Sequence, residues 1–240
     1  MKGDHRIHAR AIAPRPTALI TDAAALEGVR HDAAHVPDGR PLALARPTDI
    51  VEVAWVVRES ASILAIGSQS SLTGGATPRG ETVLALRGLQ GIERIASDLW
   101  RVGAGVTLAE IQTHLARENA YYPPVPAYAG AQIGGATSTN AAGPATFKYG
   151  STRTWIEGLT VVLADGSALD IERGQCTAHP DGHVELVKPD GETLSIPMPS
   201  YHLPRVAKIS AGYYAAAGMD LIDLFIGSEG TLGIIVSAVI

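Results

Sequence analysis

The chain has 240 residues, of which 46% are hydrophobic and 18% charged, with a formal net charge of −5. That length can bury a sizeable core, while mixed acids and bases exclude the basic face that nucleic acid or an anionic membrane surface needs. Cys176 is the only cysteine, which excludes an intrachain disulfide and a thiolate metal cage. No stretch approaches the roughly 20 apolar residues that span a bilayer, so no integral membrane segment is expected. The polar start, Met1 to Arg6, runs into no apolar signal region, and a cytoplasmic location is expected.

Residues 1–40, rich in Ala, Pro and His, read as an N-terminal arm. Leu42 to Ala45 is a short apolar run stopped by Pro47, hence a strand. Thr48 is the expected cap of a helix carrying Ile50, Val53, Ala54, Val57 and Ala61 on one face. Ile63 to Ile66 is a buried strand, and strand–helix–strand at this spacing implies parallel strands. Val83 to Leu86 and Trp100 to Val102 read as further strands. Thr107-Leu108-Ala109-Glu110 is a capping box, opening a helix with Leu108, Ile111 and Leu115 inward.

From Ala127 to Gly143 the chain is almost entirely small residues, which form little core and suit close approach of backbone to another group. Gly158 to Ala164 and Ser167 to Ile171 flank Asp165-Gly166, a hairpin signal, and Val184 to Lys188 and Thr193 to Ile196 flank Asp190-Gly191. Consecutive hairpins imply an antiparallel sheet. The fold class is therefore α+β, with a small βαβ lobe (41–105) and an antiparallel sheet lobe with helices (106–240).

Three loops are candidates for chemistry. Ile66-Gly67-Ser68-Gln69-Ser70-Ser71-Leu72-Thr73-Gly74-Gly75 follows a buried strand and offers backbone amides and hydroxyls as neutral donors for a diphosphate. It is neither a Walker A loop nor a G-x-G-x-x-G fingerprint. Ile133-Gly134-Gly135-Ala136-Thr137-Ser138-Thr139-Asn140-Ala141-Ala142-Gly143 would let a flat ligand lie against backbone. Phe225 to Ile235 places Gly227, Gly230 and Gly233 before a β-branched strand, Ile234 to Val239.

Together and in this order, these segments resemble the FAD-binding domain of the vanillyl-alcohol oxidase/p-cresol methylhydroxylase family. The nearest group is the FAD-linked oxidases, such as glycolate oxidase, D-lactate dehydrogenase and alkylglycerone-phosphate synthase. The most specific matches are Ile133-Gly134-Gly135, Asn140 to Gly143 with Lys148-Tyr149-Gly150, Leu163-Ala164-Asp165-Gly166, and Gly227-Ser228-Glu229-Gly230-Thr231-Leu232-Gly233. The resemblance implies FAD as cofactor, contacted by four segments. Ile66, Gly67, Ser68, Gln69, Ser70, Ser71 and Leu72 match the loop that cradles the pyrophosphate. Pro126, Ala127, Tyr128, Ala129, Gly130, Ala131 and Gln132 match the stretch running toward the flavin, with Gly134 and Gly135 following. Thr139, Asn140, Ala141 and Ala142 match residues beside the isoalloxazine. Glu229, Gly230, Thr231, Leu232, Gly233, Ile234 and Ile235 match the return strand that closes over the cofactor by backbone contacts.

Ser68 and Gln69 stand where many relatives have glycine, which alters the expected turn. No His, Cys or Tyr lies between Ile66 and Gly75, so a non-covalent flavin is expected. The resemblance further implies flavin-dependent oxidation of a 2-hydroxy acid or related alcohol. The alternatives are a binding module without its own turnover, or a non-redox flavoenzyme like alkylglycerone-phosphate synthase. A substrate domain follows the glycine-rich strand in this family, whereas this chain stops at Ile240. Substrate identity is therefore expected to come from a missing C-terminal domain or a partner chain, and the catalytic residues are not assigned.

No metal site is expected. His31 and His35 have i, i+4 spacing without the glutamate of a metallohydrolase motif. His114 reads as a solvated helix residue and Cys176 as inert. Tyr213-Tyr214 reads as core packing, and the Glu229 carboxylate as a partner for loop amides.

Overall fold

The first forty residues are drawn into two different sheets. β1 (Arg6–His8) buries Ile7, and β2 (Leu19–Ile20) precedes α1 (Ala23–Glu27), whose first turn is capped by the Asp22 carboxylate accepting from the Ala25 amide. The computed structural model describes residues 4–124, 126–204, 206, 209 and 212–240. β3 (Ala43–Ala45), α2 (Ile50–Glu59) and β4 (Ile63–Ile66) reproduce the strand–helix–strand reading. The cap of α2 falls one residue later than expected: the Asp49 side chain accepts from the Val51 and Glu52 amides. Thr48 instead donates its amide and hydroxyl to Glu52. A carboxylate at Asp49 outcompetes the hydroxyl before it, and Glu52 closes the turn from inside. The helix stops at Glu59, which leaves Ala61 outside it.

β3 and β4 run parallel but do not touch. β5 (Thr82–Ala85) lies between them, parallel to both, and β2 pairs antiparallel with β3. Leu86 leaves the strand in a 3-10 turn, Leu86–Gly88. Val53, Ala54 and Val56 of α2 are fully buried against Ala45 and Leu84, so the crossover helix covers one face of this four-stranded sheet.

β6 (Ile92–Ala96) and β7 (Leu99–Gly103) are followed by α3 (Leu108–Arg117), which has the full reciprocal Thr107–Glu110 capping box. α4 (Ile133–Ser138), α5 (Thr146–Tyr149) and a 3-10 turn (Thr152–Trp155) lead to the hairpin β8 (Gly158–Val162) and β9 (Ala168–Glu172). At its turn Gly166 has φ +76°, a left-handed conformation that favours glycine, and the Arg58 side chain passes close beside it. β10 (His183–Val187) and β11 (Thr193–Pro197) form the second hairpin, and α6 (Ile222–Phe225) precedes β12 (Ile234–Val239).

β12 returns to the middle of a five-stranded sheet of order β6-β7-β12-β8-β9, antiparallel throughout. β6 and β7, which the sequence groups with the first lobe, thus hydrogen-bond into the larger sheet. β1 adds parallel to β10 in a third sheet, β1-β10-β11. The main core gathers Leu108 and Ile111 of α3, Ile133 of α4 and Ile222 of α6 with Val184 of β10 and inward residues of the five-stranded sheet such as Val102 and Val161. No helix among the described residues is long and apolar enough to cross a membrane.

Candidate functional site

The loop Ile66–Gly75 leaves the carboxyl end of β4, the end at which parallel sheets bind ligands. Its conformation is set from behind. Gln69 takes a left-handed φ of +48°, and its Nε2 donates to the Val29 and Ala76 carbonyls at 3.0 and 2.8 Å. Asp32 is buried and accepts from the Thr77 hydroxyl and the Ala34 and Ala76 amides. Gln69 therefore braces the turn that glycine would otherwise allow, and its amide donors are already used. Ser68 Oγ donates to the Gly130 carbonyl at 2.5 Å, which ties this loop to the second segment. Ser71 and Thr73 bond each other, and Leu72 is exposed.

The second segment lies along the start of α3. The Leu108 and Ala109 amides donate to the Ala131 and Ala129 carbonyls, and Ile133 and Gly134 donate to Val106 and Ala104. A Cβ on Gly134 would lie 2.7 Å from Ala104 Cβ, whereas one on Gly135 would meet nothing within 4 Å. The small-residue run thus does contribute to the core, on one face only: Ile133, Ala136 and Thr137 are buried while Gly135 and Thr139 are exposed. Two side chains stand out. Gln132 is 2% exposed with neither carboxamide atom hydrogen-bonded, and Thr137 is fully buried with an unpartnered hydroxyl. Gln132 faces Gly67, whose Cβ would come 3.2 Å from its Oε1. Buried, unpaired polar atoms are costly and call for a partner.

The third and fourth segments meet at the end of α4. Gly227 and Glu229 donate their amides to the Thr137 and Ser138 carbonyls. Asn140 (φ +45°) and Glu229 (φ +53°) are both left-handed, as Gln69 is. Asn140 Oδ1 accepts from the Arg153 amide, and Ala141 O accepts from the buried Thr152. The positive φ turns Glu229 outward. Its carboxylate is exposed, with Oε2 3.9 Å from a Cβ placed on Gly75, and among the described residues it bonds no loop amide. The role read for it from sequence does not hold.

Segments 66–72, 129–135, 138–140 and 227–229 are therefore joined by direct contacts. Ile234 and Ile235 lie within β12 and bury their side chains in the two cores. Leu232 lines a separate apolar cavity of about 300 Å³ with Leu163, Leu224 and Phe225. An open groove of about 1060 Å³ runs over the far face of the five-stranded sheet and touches none of the four segments. Arg10 pairs with Asp170 there at 2.6 Å, and Arg101 with Glu93 at 3.6 Å. Among the described residues no cluster of His, Cys, Asp and Glu could hold a metal ion. His31 Nδ1 faces the Val36 carbonyl, and Cys176 is buried with its thiol pushed up to about 11 by burial, then by Asp220 and Asp4.

The arrangement offers hydroxyls, an unpaired carboxamide and an open glycine surface, a neutral donor set suited to a large, flat cofactor. A family model described as FAD binding domain matches residues 41–172, which include the first three segments. The chain belongs to that family. Its cofactor is FAD. This FAD binding domain is similar to D-2-hydroxyglutarate dehydrogenase of Xanthomonas citri pv. viticola, 31% identical over 232 residues, covering 92% of this chain and 40% of the relative. D-lactate dehydrogenase of Archaeoglobus fulgidus is 29% identical over 81% of this chain and 37% of its own length. Glycolate oxidase subunit GlcD of Bacillus subtilis is 28% identical over 88% and 38%. A solved alkyldihydroxyacetonephosphate synthase superposes with a TM-score of 0.57 at 20% identity, covering 84% of this chain and 34% of that one. This likeness identifies the α+β, p-cresol methylhydroxylase-type fold. The chain spans about two fifths of the length of the curated relatives it matches.

Asp32, Thr77, Thr152 and Arg153 carry the segments. No local pattern in the sequence marks the Asp32–Thr77 and Arg153–Asp223 pairs, whose members lie 45 and 70 residues apart.

Proposed function

We propose that the four segments hold FAD without a covalent bond, between the four-stranded and five-stranded sheets as two lobes, in a protein that oxidises a 2-hydroxy acid. The observation that carries this reading is the buried, unpartnered Gln132 carboxamide against Gly67, with the open glycine surface of α4 following it. In this assignment Gly67, Ser68 and Gln132 line the pyrophosphate end, and Gly135, Asn140 and Glu229 the flavin end. Bound FAD supplies a two-electron acceptor. The chain's own residues bind it, orient it and keep water from its buried edge. Ser68 spans the first two segments, and the Gln132 carboxamide, beside Gly67, is the buried group assigned to hydrogen-bond it.

Substrate orientation is assigned to polypeptide beyond these residues, supported by the two-fifths span of relatives whose names specify D-2-hydroxyglutarate, D-lactate and glycolate. Within this reading the protein works in the cytoplasm, in keeping with its one buried free cysteine. The test is equilibrium titration of the purified chain with FAD, followed by anaerobic addition of D-2-hydroxyglutarate, D-lactate or glycolate to the longest available form. Bleaching of the flavin absorbance by one of these acids supports the oxidase reading. Tight FAD binding with no bleaching by any of them in a full-length protein rejects it in favour of a binding module or non-redox flavoenzyme.

A further inference from the structure

Arg153 sits outside every segment assigned to FAD, yet it is bonded to one of them and to the residue just before another. Its backbone amide donates to Asn140 Oδ1 at 3.0 Å. Its side chain turns the other way: Nη2 donates to the Ile226 carbonyl and Nη1 to both the carbonyl and Oδ1 of Asp223. Gly227, the next residue, packs so closely that a Cβ there would lie 3.3 Å from Asn140 Cβ and 3.5 Å from Arg153 Nη2. The Arg153 side chain is 17% exposed and that of Asp223 13%, and the guanidinium carbon lies 4.4 Å from the centre of the Tyr214 ring. Arg173 reaches the same carboxylate at 3.4 Å and donates to the Arg153 carbonyl at 3.0 Å.

We infer that Arg153 is a positioning residue for the cofactor, a clasp that fixes the Asn140 and Gly227 segments against each other. The planar guanidinium suits this use because it donates in two fixed directions at once, which a lysine ammonium on a flexible stem cannot do. Asp223 is shared by two arginines, so it holds Arg153 in place whether or not a cofactor is bound. Among the described residues, the other groups facing this cluster are neutral: the Tyr214 ring and the backbone carbonyls of Asp223 and Ile226. Arg153 thus acts through Asn140 and Gly227 rather than by touching the cofactor. This inference rests on the FAD-site reading above.

The test compares wild type with Arg153→Lys and Arg153→Met, reading apoprotein melting temperature, FAD dissociation constant and the visible circular dichroism of bound flavin. Arg153→Met leaves Asp223 with one arginine and is expected to lower both melting temperature and affinity. Arg153→Lys keeps an ion pair with Asp223 but loses the second direction. It is expected to recover most of the melting temperature while FAD still binds about tenfold more weakly than to wild type, with an altered flavin signal. Affinity that follows melting temperature across the three proteins would mean a purely structural arginine and overturn the inference. Should Arg153→Met fail to fold, Tyr214→Leu takes its place: it removes only the ring over the guanidinium, and unchanged FAD affinity and flavin signal there, together with a wild-type-like Arg153→Lys, overturn the inference equally. Wild type that binds no FAD at all refutes the site reading itself, and the clasp with it.

Discussion

Two adjacent glycines in α4 are expected to answer the same substitution in opposite ways. A Cβ on Gly134 would lie 2.7 Å from Ala104 Cβ and 3.0 Å from its carbonyl oxygen, against ordinary contact at 3.4 Å or more. Neither atom can swing aside, and the Gly134 amide also donates to that carbonyl. Gly134→Ala therefore incurs overpacking of about 1–3 kcal/mol plus a strained hydrogen bond of about 1 kcal/mol. A helix-propensity gain of about 0.5–1 kcal/mol offsets part of this. A net loss of about 2 kcal/mol corresponds to a fall in Tm of about 4–8 °C for a domain of this size. Gly135→Ala meets nothing within 4 Å and keeps only the favourable part, so its apoprotein Tm should hold or rise by about 1–4 °C. Its methyl group would project into the space assigned to FAD, and affinity should fall by about tenfold, or about 1.4 kcal/mol. Thermal melts of the apoproteins and FAD titrations separate the two effects. A Gly135→Ala protein that loses stability like Gly134→Ala, or that keeps wild-type FAD affinity, would refute the assignment of inward and outward faces.

Gln132→Leu removes two buried atoms that have no partner without cofactor; apoprotein stability should rise by up to about 1–3 kcal/mol while the increase in Tm on adding FAD shrinks. A full FAD-induced increase would show that the carboxamide does not meet the cofactor. Asp49→Ala removes the observed cap of α2 and should cost about 0.5–2 kcal/mol in urea unfolding, whereas Thr48→Ala should cost less. Hydrogen bonds from the Thr107 hydroxyl and amide hold the Glu110 carboxyl below its ordinary value of 4.5. Its folded pKa is depressed, so its contribution is present above pH 4.5 and is lost as pH falls through the lower folded value. Glu110→Gln should flatten that part of the stability–pH curve, and an unchanged acid limb would count against the capping box. Cys176, buried and with its thiol pushed up to about 11, should resist a thiol reagent at pH 8 until the chain unfolds; fast labelling of folded protein would contradict its placement.

What the sequence makes legible is local. The Thr107–Glu110 box and the Asp165-Gly166 turn each lie within a few residues and form as read, while the α2 face keeps Val53 and Ala54 but takes Val56 and ends before Ala61. Sheet membership does not work that way. β6 and β7 follow the βαβ strands directly, yet their partner β12 lies at the far end of the chain, and only the hydrogen-bond register assigns them to the larger sheet. β1 likewise pairs with β10 across most of the sequence. Within the site, Gly134 and Gly135 are the same letter; only the position of Ala104 separates a packing glycine from an open one. Ser68 and Gln69 looked like departures from a glycine-rich turn, and the structure gives them work as a tether to Gly130 and a brace to Val29 and Ala76. Arg153 carries no local signal in the sequence, because its role depends on Asp223 and Ile226.

The most direct test of the four-segment site is FAD titration of the wild-type apoprotein beside Gln132→Leu and Gly135→Ala. The site predicts saturable, equimolar binding to wild type, release of free FAD on denaturation, and weakened binding by both variants with folding intact. Failure of the folded wild type to bind FAD, or flavin that stays with the denatured chain, would contradict it.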